Sequence, residues 1–358
     1  MGNFIRVPAP FSGALGRGAY CTLAGLDPAA VAVVTVCDAA SQKVLGIKKF
    51  IGGDQADIRL SRYAVQLFDV RPVAAVDGYD GRSALAGDTH KSVSLQLESG
   101  GAMSPPAALV LSRIDSGYFK PMTDMPLSRE IDRDGCDEVS LILPAGDASA
   151  TARFTGLPGG GEAQAGGGAT GCGERPASRC ASTLAGTLSA PVEPLEIDLG
   201  AAVAPCVATL AIDMADMARR IGESGRDVVE FSAMDVTIDL GGQAEAVVLH
   251  YSLTGEAGRG VRLCWINRYG AIDYFTFVVL SRGVAVTEGT VFARTATTLT
   301  LASQYQPRAT IDALAGICSS PGVWMVDEAG KYCPVEVTTH ELSFPQQSPG
   351  NLKITIKR

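Results

Sequence analysis

Residues 261–277, VRLCWINRYGAIDYFTF, are the stretch that decides the fold. Two apolar, aromatic-rich runs flank the tetrapeptide Asn267-Arg268-Tyr269-Gly270. Asparagine begins turns by hydrogen-bonding its own backbone, and Gly270 can supply a positive φ angle where the turn ends. The segment therefore predicts a β-hairpin with a four-residue loop. Asp273, just past the turn, is expected to cap backbone N–H groups or to pair with Arg268.

Aromatic side chains occur on both faces of this predicted hairpin. One face can line a core, whereas the other leaves an apolar patch unless a neighbouring domain or subunit covers it. Two interpretations stay open, in which all of these side chains belong to the core or some of them form an interface. The interface residues that we predict are Trp265, Arg268, Tyr269, Tyr274 and Phe275.

The rest of the chain indicates a mainly β fold. Charged residues make up only 19% of it, and its 41 glycines favour strands separated by turns. Residues 31–37, 92–97 and 139–143 are strand-like before the hairpin, and residues 352–357 alternate cleanly at the end. We expect two or three antiparallel β-sandwich-like modules with few short helices.

One segment carries a helical period instead. Met214, Met217, Ala218 and Ile221 recur at the spacing of a helix face within residues 213–223. A methionine stripe of this kind is more often core than contact surface, so we predict a helix that packs on the interior.

A change of composition marks the main predicted boundary. Residues 156–192 are rich in Gly, Ala, Ser and Thr and contain almost no large apolar side chain, as in a linker or exposed loop. We therefore predict an N-terminal β-sandwich-like domain over residues 1–155 and a second β domain over 193–310, with the aromatic hairpin at 261–280. Residues 311–358 are expected to pack on the second domain as a C-terminal β segment.

Charge and hydropathy exclude two classes of partner. The formal net charge of −8 argues against nucleic acid, because phosphate recognition needs a basic surface. No uncharged apolar run approaches the length of a transmembrane helix, so no membrane partner is expected. The first residues lack the pattern of a secretory signal, and we expect the chain to fold in a cytosol.

Catalytic, metal-binding and cofactor-binding patterns are not found. The nine cysteines include no C-x-x-C pair and are expected to be free thiols, while His90, His250 and His340 lie far apart. The glycine clusters lack the Lys-Ser/Thr of a phosphate loop, and no G-x-S-x-G motif occurs. We therefore predict no catalytic, cofactor or metal residues and no enzyme activity.

The acidic segment 132–138 is the best metal candidate, and it leaves two interpretations. Its carboxylates Asp132, Asp134, Asp137 and Glu138 can converge on calcium, or they form a solvated turn before the next strand. They are also the only cluster that a hydrolase of cell-wall polymers could use, since such an enzyme needs paired carboxylates facing a cleft.

Residues 265–277 resemble a W-[LI]-N-x-x-G-x-x-D-x-[YF]-T-F hairpin found in tail and other virion structural proteins of phages and prophages from Bacteroidota. Ser320-Pro321, then residues 324–326 and 334–337, follow in the order expected of such proteins. The resemblance is strong over residues 262–358, whereas the first 190 residues match in general β character and in the region of residues 48–52.

The resemblance implies a non-enzymatic component of a phage-like particle, in a tail or baseplate, that is assembled in the host cytoplasm. Its partners would be further copies of itself and other virion proteins. The alternative is a surface adhesin or carbohydrate-binding module that recognises a host glycan, for which aromatic loop residues would also serve. An exposed aromatic platform would favour sugar binding, and a large apolar patch would favour assembly.

Overall fold

The structure is a computed structural model that describes nineteen stretches of the chain. The described residues are 3–6, 12–13, 20–27, 29–51, 53, 55–75, 83–86, 89–113, 121–143, 145–146, 149–158, 194–202, 206–223, 231–241, 245–254, 260–287, 294–327, 329–343 and 349–358.

Most described residues lie in strands. In chain order the strands are β1 (Asn3–Arg6), β2 (Ser12–Gly13), β3 (Tyr20–Ala24), β4 (Val31–Asp38), β5 (Val44–Ile51), β6 (Gln55–Arg59), β7 (Ser83–Ala86), β8 (His90–Ser99), β9 (Ala102–Met103), β10 (Ala107–Ser112), β11 (Ser128–Asp132), β12 (Cys136–Leu143), β13 (Ala150–Pro158), β14 (Leu195–Gly200), β15 (Cys206–Asp213), β16 (Phe231–Asp239), β17 (Val247–Thr254), β18 (Gly260–Ile266), β19 (Ile272–Thr287), β20 (Arg294–Ala302), β21 (Val323–Val326), β22 (Tyr332–Pro334), β23 (Glu336–Ser343) and β24 (Asn351–Lys357). The helices are α1 (Ser61–Phe68), α2 (Met214–Glu223) and α3 (Arg308–Leu314), with 3-10 turns at Val73–Ala75 and Ala315–Ser319.

The first packing unit joins a five-stranded sheet to a three-stranded one. The five-stranded sheet has the order β11-β17-β16-β13-β14, and the three-stranded sheet has the order β12-β15-β7. Their facing side chains, such as Phe154 and Leu210, form one core together with Met214, Met217 and Ile221 of α2. The predicted helix and its buried methionine stripe are therefore confirmed.

The second unit contains the N-terminal strands. A six-stranded sheet runs β2-β10-β8-β4-β5 with β9 paired to β8, and a three-stranded sheet runs β1-β3-β6. Alternate residues of β4 (Ala32, Val34 and Val36) point into the core between these sheets, because successive side chains of a strand face opposite sides.

The third unit is a seven-stranded sheet in the order β22-β21-β18-β19-β20-β24-β23. Strands β18 and β19 form the predicted aromatic hairpin, paired from Gly260 with Val278 to Ile266 with Ile272. Its loop spans residues 267–271 and is one residue longer than predicted, since Asn267 N donates to Ala271 O at 2.8 Å to close it. Gly270 has a φ of +76°, as its place in the turn required.

These sheets confirm the mainly β fold, with several antiparallel sheets and few helices. They also join both sides of the predicted linker. Strand β13 pairs with β14 and β16, and β12 pairs with β15. Residues 156–158 belong to β13, and residues 159–193 lie outside the described residues. Described strands from before and after that segment therefore belong to the same sheets.

Among the described residues, none of the helices combines the length and apolar character that a membrane crossing needs.

Candidate functional site

The aromatic hairpin lies between two cores. Cys264, Ile266, Ile272 and Tyr274 face the N-terminal core, next to the side chains of β4, β8 and β10. Leu263, Trp265 and Phe277 face the other core, which includes α3 and β24. Both faces are thus covered by other parts of the same chain.

This placement separates the five predicted interface residues. Trp265 and Tyr274 are buried, so within one chain their side chains offer no surface to a partner. Phe275 and Tyr269 are half-buried and Arg268 is exposed, so a contact with a partner at these three stays a prediction. The burial follows from long-range packing, which the hairpin sequence does not encode.

A buried ion pair joins strand β11 to strand β12. Arg129 Nη1 donates to Asp137 Oδ2 at 2.7 Å, and both side chains are almost completely buried. Tyr251 donates its hydroxyl to the same carboxylate oxygen at 3.1 Å, and the backbone N–H of Glu138 donates to the other at 2.8 Å. The charge of Asp137 is therefore fully hydrogen-bonded, as a buried charge must be.

The hairpin loop is held by a second set of buried polar contacts. Asn267 Nδ2 donates to Met122 O at 2.7 Å, and Asn267 Oδ1 accepts from Tyr269 N and Ala271 N. Asp273 accepts from the Thr123 hydroxyl and from Asp124 N, so the predicted capping of a backbone N–H occurs. Burial raises the pKa of Asp273 to about 6, although the nearby Arg129 opposes this shift.

Glu138 is the neighbour of Asp137 along β12 and therefore points to the other side of the strand. It accepts from Val73 N at 2.7 Å and from the Tyr274 hydroxyl at 2.9 Å. Burial raises its pKa to about 7 in spite of these hydrogen bonds. The carboxylates of the acidic segment thus have separate partners.

The structure does not support the calcium interpretation of residues 132–138. In the part of the chain that the structure describes, no three His, Cys, Asp or Glu side chains come together as a metal site requires. Asp132 instead accepts from the Thr254 hydroxyl at 3.0 Å, and Asp137 and Glu138 are interior.

A cleft opens beside the buried ion pair. It encloses a cavity of about 670 Å³ between strands β11 and β17 on one side and β18, β19 and residues 303–310 on the other. Its polar lining includes Glu130, Asp132, Thr254, Arg262 and Gln306, and Phe275 adds an aromatic ring. The lining holds charges of both signs, and the volume is typical of small-ligand sites.

Three polar side chains next to the cleft form a hydrogen-bonded series that the sequence analysis missed. His250 Nδ1 lies 2.6 Å from Asp235 Oδ1, and His250 Nε2 lies 3.5 Å from Ser252 Oγ. With the proton on Nδ1, the ring donates to Asp235 and its Nε2 can accept from Ser252, which lines the cleft.

Ser252, His250 and Asp235 are arranged in the order of a nucleophile, a base and an orienting carboxylate. Their surroundings, however, do not favour catalysis. Asp235 and His250 are 33% and 41% exposed, and β17 is paired on both sides, with β11 and β16. Backbone N–H groups of an interior strand point at its neighbours, so they do not form an oxyanion hole at Ser252. Cross-strand hydrogen bonding on a solvated sheet face explains the contacts.

An apolar strip lies on the face of the six-stranded sheet that points away from the N-terminal core. Val31 pairs with Ile51, and Ile47 pairs with Thr35, all on the outer face of β4 and β5. Among the described strands, β5 is the last of its sheet and pairs with β4 alone. We call Val31, Ile47 and Ile51 the outer strip.

Neither a family model nor a curated protein matches this chain.

Proposed function

We propose that this protein is a non-enzymatic structural component of a phage-like particle, in a tail or baseplate, and that it acts through contacts between subunits. On this proposal it assembles in the host cytoplasm and resides in the virion. The resemblance of residues 265–277 to virion hairpins supports the kind of particle. The observation that supports subunit contacts is the outer strip.

The outer strip consists of large apolar side chains that are exposed to solvent. Val31, Ile47 and Ile51 are 48%, 57% and 85% exposed; Val31 is paired with Ile51, and Ile47 lies on the same face beyond Lys49. Exposed apolar patches at an unpaired edge are typical of surfaces that another chain covers, because covering them removes apolar area from water. The aromatic hairpin, by contrast, is buried and packs against the inner face of the six-stranded sheet.

The mass of the purified protein in solution tests this proposal. We expect light scattering at micromolar concentration to give a mass above that of one chain, alone or after mixing with the products of neighbouring genes. The variant Ile47→Thr/Ile51→Thr should shift that mass towards the monomer. Leu280→Thr, at a 53% exposed position on another sheet, is the matched control. A strict monomer under every one of these conditions would contradict the proposal.

The cleft supports a second candidate function, the recognition of a host glycan. Carboxylate, amide and hydroxyl groups that line it, such as Glu130, Gln306 and Thr254, can hydrogen-bond sugar hydroxyls, and Phe275 offers a ring for the apolar face of a sugar. We expect calorimetric titration with host-surface oligosaccharides to show binding that Phe275→Ala weakens at least about tenfold. Absence of heat at millimolar saccharide would eliminate this candidate.

Ser252 provides the sharpest check on the non-enzymatic part of the proposal. An activated serine reacts with a fluorophosphonate probe, whereas an ordinary surface serine does not. We expect the wild-type protein to stay unlabelled, like Ser252→Ala. Labelling that disappears in Ser252→Ala and in His250→Ala would show that the protein has a serine nucleophile.

A further inference from the structure

Two strands at sheet edges carry opposite charge, and we infer that β5 of one copy pairs with β14 of a second copy. The inference rests on the proposed function, because it names the partner of the outer strip. Each strand is the last of its sheet among the described strands, β5 in the six-stranded sheet and β14 in the five-stranded sheet. Leu45 O, near the start of β5, accepts from Gln66 Nε2 of α1, and the backbone beyond it, like that of β14, can therefore extend a sheet into the neighbouring subunit.

The edge at β5 is apolar and basic. Lys48 and Lys49 are exposed in the middle of the strand, and Lys49 lies between Ile47 and Ile51 on the outer face. Lysines at the centre of an edge strand oppose pairing with an identical strand, because two copies would bring like charges together. The same lysines favour pairing with an acidic strand.

The edge at β14 has the complementary pattern. Its sequence, LEIDLG, places the exposed Glu196 and Asp198 on one face, and the apolar Leu195 and Ile197 on the other. Arg153 Nη2 donates to Glu196 Oε1 at 2.7 Å, and the Ser149 hydroxyl donates to Asp198. Both carboxylates are therefore held on the outer face of the sheet. Pairing of β14 with itself would bring carboxylates together.

One antiparallel register joins opposite charges on one face and apolar side chains on the other at the centre of the contact, with Ile51 opposite Glu196 and Lys48 opposite Leu199 on either side of that centre. If Lys49 lies opposite Asp198, then Phe50 lies opposite Ile197, because partners in an antiparallel pair advance in opposite directions. Phe50 packs against the N-terminal core of its own subunit, and Ile197 packs against the core beneath β14. The contact would join these two cores through one continuous sheet.

A contact between two different edges is heterologous. Repetition of such a contact produces a closed ring or an open filament, according to the rotation between neighbours. Each subunit supplies one basic and one acidic edge, so no second type of chain is needed. The partner that fits this surface is therefore a second copy of the same protein.

Charge reversal tests the inference. The variants are Lys48→Glu/Lys49→Glu on one edge and Glu196→Lys/Asp198→Lys on the other. We expect each variant alone to show a self-association constant at least about tenfold weaker than that of the wild type in sedimentation equilibrium. An equimolar mixture should regain association, because each variant then meets an oppositely charged edge. Circular dichroism verifies folding, and Glu98→Lys/Glu245→Lys, at exposed positions away from both edges, matches the charge change of the second variant.

The outcomes separate this inference from the proposed function. If the wild type associates and both variants associate equally well, or if the mixture fails to recover, the β5–β14 pairing is wrong and subunit contact occurs elsewhere. If the wild type is a strict monomer in every mixture, both the pairing and the proposed function are wrong. Should Glu196→Lys/Asp198→Lys fail to fold, Lys48→Glu/Lys49→Glu alone decides, because neither lysine forms an ion pair with another described residue.

Discussion

At the scale of single residues, Glu138 links stability to pH. Its pKa is raised by burial from the ordinary 4.5 to about 7, so the folded protein retains a proton that the unfolded chain releases. The stability that this group contributes is complete below pH 4.5 and is lost as the pH rises through about 7. We expect the free energy of unfolding in urea to decrease between pH 5 and pH 8, with Glu138 contributing up to roughly 3 kcal/mol.

Glu138→Gln isolates this contribution. The amide keeps the acceptor oxygen for Val73 N and Tyr274 but cannot ionise, so the variant should depend less steeply on pH than the wild type. Asp273 shifts in the same direction and leaves a residual slope in both proteins. Glu98→Gln, at an exposed position, serves as the control. Equal slopes for the wild type and Glu138→Gln would mean that the carboxyl is not perturbed.

The buried pair Arg129–Asp137 and the exposed pair Arg153–Glu196 have the same 2.7 Å separation and should differ widely in energy. Asp137→Asn removes the hydrogen-bonded counter-charge of the buried guanidinium and leaves only the nearby Asp273 carboxyl, which we expect to cost about 3–5 kcal/mol. Glu196→Gln, in the solvated pair, should cost less than about 1 kcal/mol. Chemical denaturation measures both values. Similar losses for the two variants would show that Arg129 finds another partner or reaches water.

At the scale of elements, Asn267 determines the geometry of the hairpin loop. Its side chain makes three hydrogen bonds, two within the loop and one to Met122 O. Asn267→Ala removes all three, and we expect a loss of about 3 kcal/mol at roughly 1 kcal/mol for each bond. Arg268→Ala, next to it but exposed, should cost less than about 1 kcal/mol. Thermal and urea unfolding compare the two, and an equal loss would contradict this role of Asn267.

The elements that the sequence predicts well are those defined by neighbouring residues. Asn267 and Gly270 indicate the turn locally, and the spacing of Met214, Met217 and Ile221 indicates α2 without knowledge of its surroundings. Helix α1 escaped prediction within a region that we expected to be strands and turns. It is only eight residues long, and Tyr63 and Phe68 pack it on a core whose other walls are distant in sequence.

The candidate sites depend on pairing between distant strands, which a local pattern does not contain. His250 and Ser252 can be placed on one face from their spacing, but Asp235 joins them only through the register of β16 and β17. The cleft needs β11 beside β18 and β19, some 130 residues later in the chain. Whether β5 and β14 are edges is likewise decided by the order of strands in the complete sheets.

At the scale of the whole molecule, the hairpin couples the units that surround it. Tyr274 packs on the N-terminal core and also donates to Glu138, while Phe277 packs on the core of α3 and β24. Loss of either core therefore uncovers one face of the same two strands, whose other face supports the remaining core. We infer a cooperative structure in which the sheets depend on one another, because shared strands cannot unfold for one core alone.

Cleavage of the backbone within residues 159–193 tests this coupling. A specific protease site inserted there would divide the chain between β13 and β14, which are paired with each other. Pairings β12–β15, β13–β16 and β11–β17 also cross the division. We expect the two fragments to co-elute as one complex in native gel filtration and to separate in denaturant, because their apolar faces form a common core. Separation without denaturant, with both fragments folded by circular dichroism, would instead establish the independent N-terminal domain that the composition of residues 156–192 predicts.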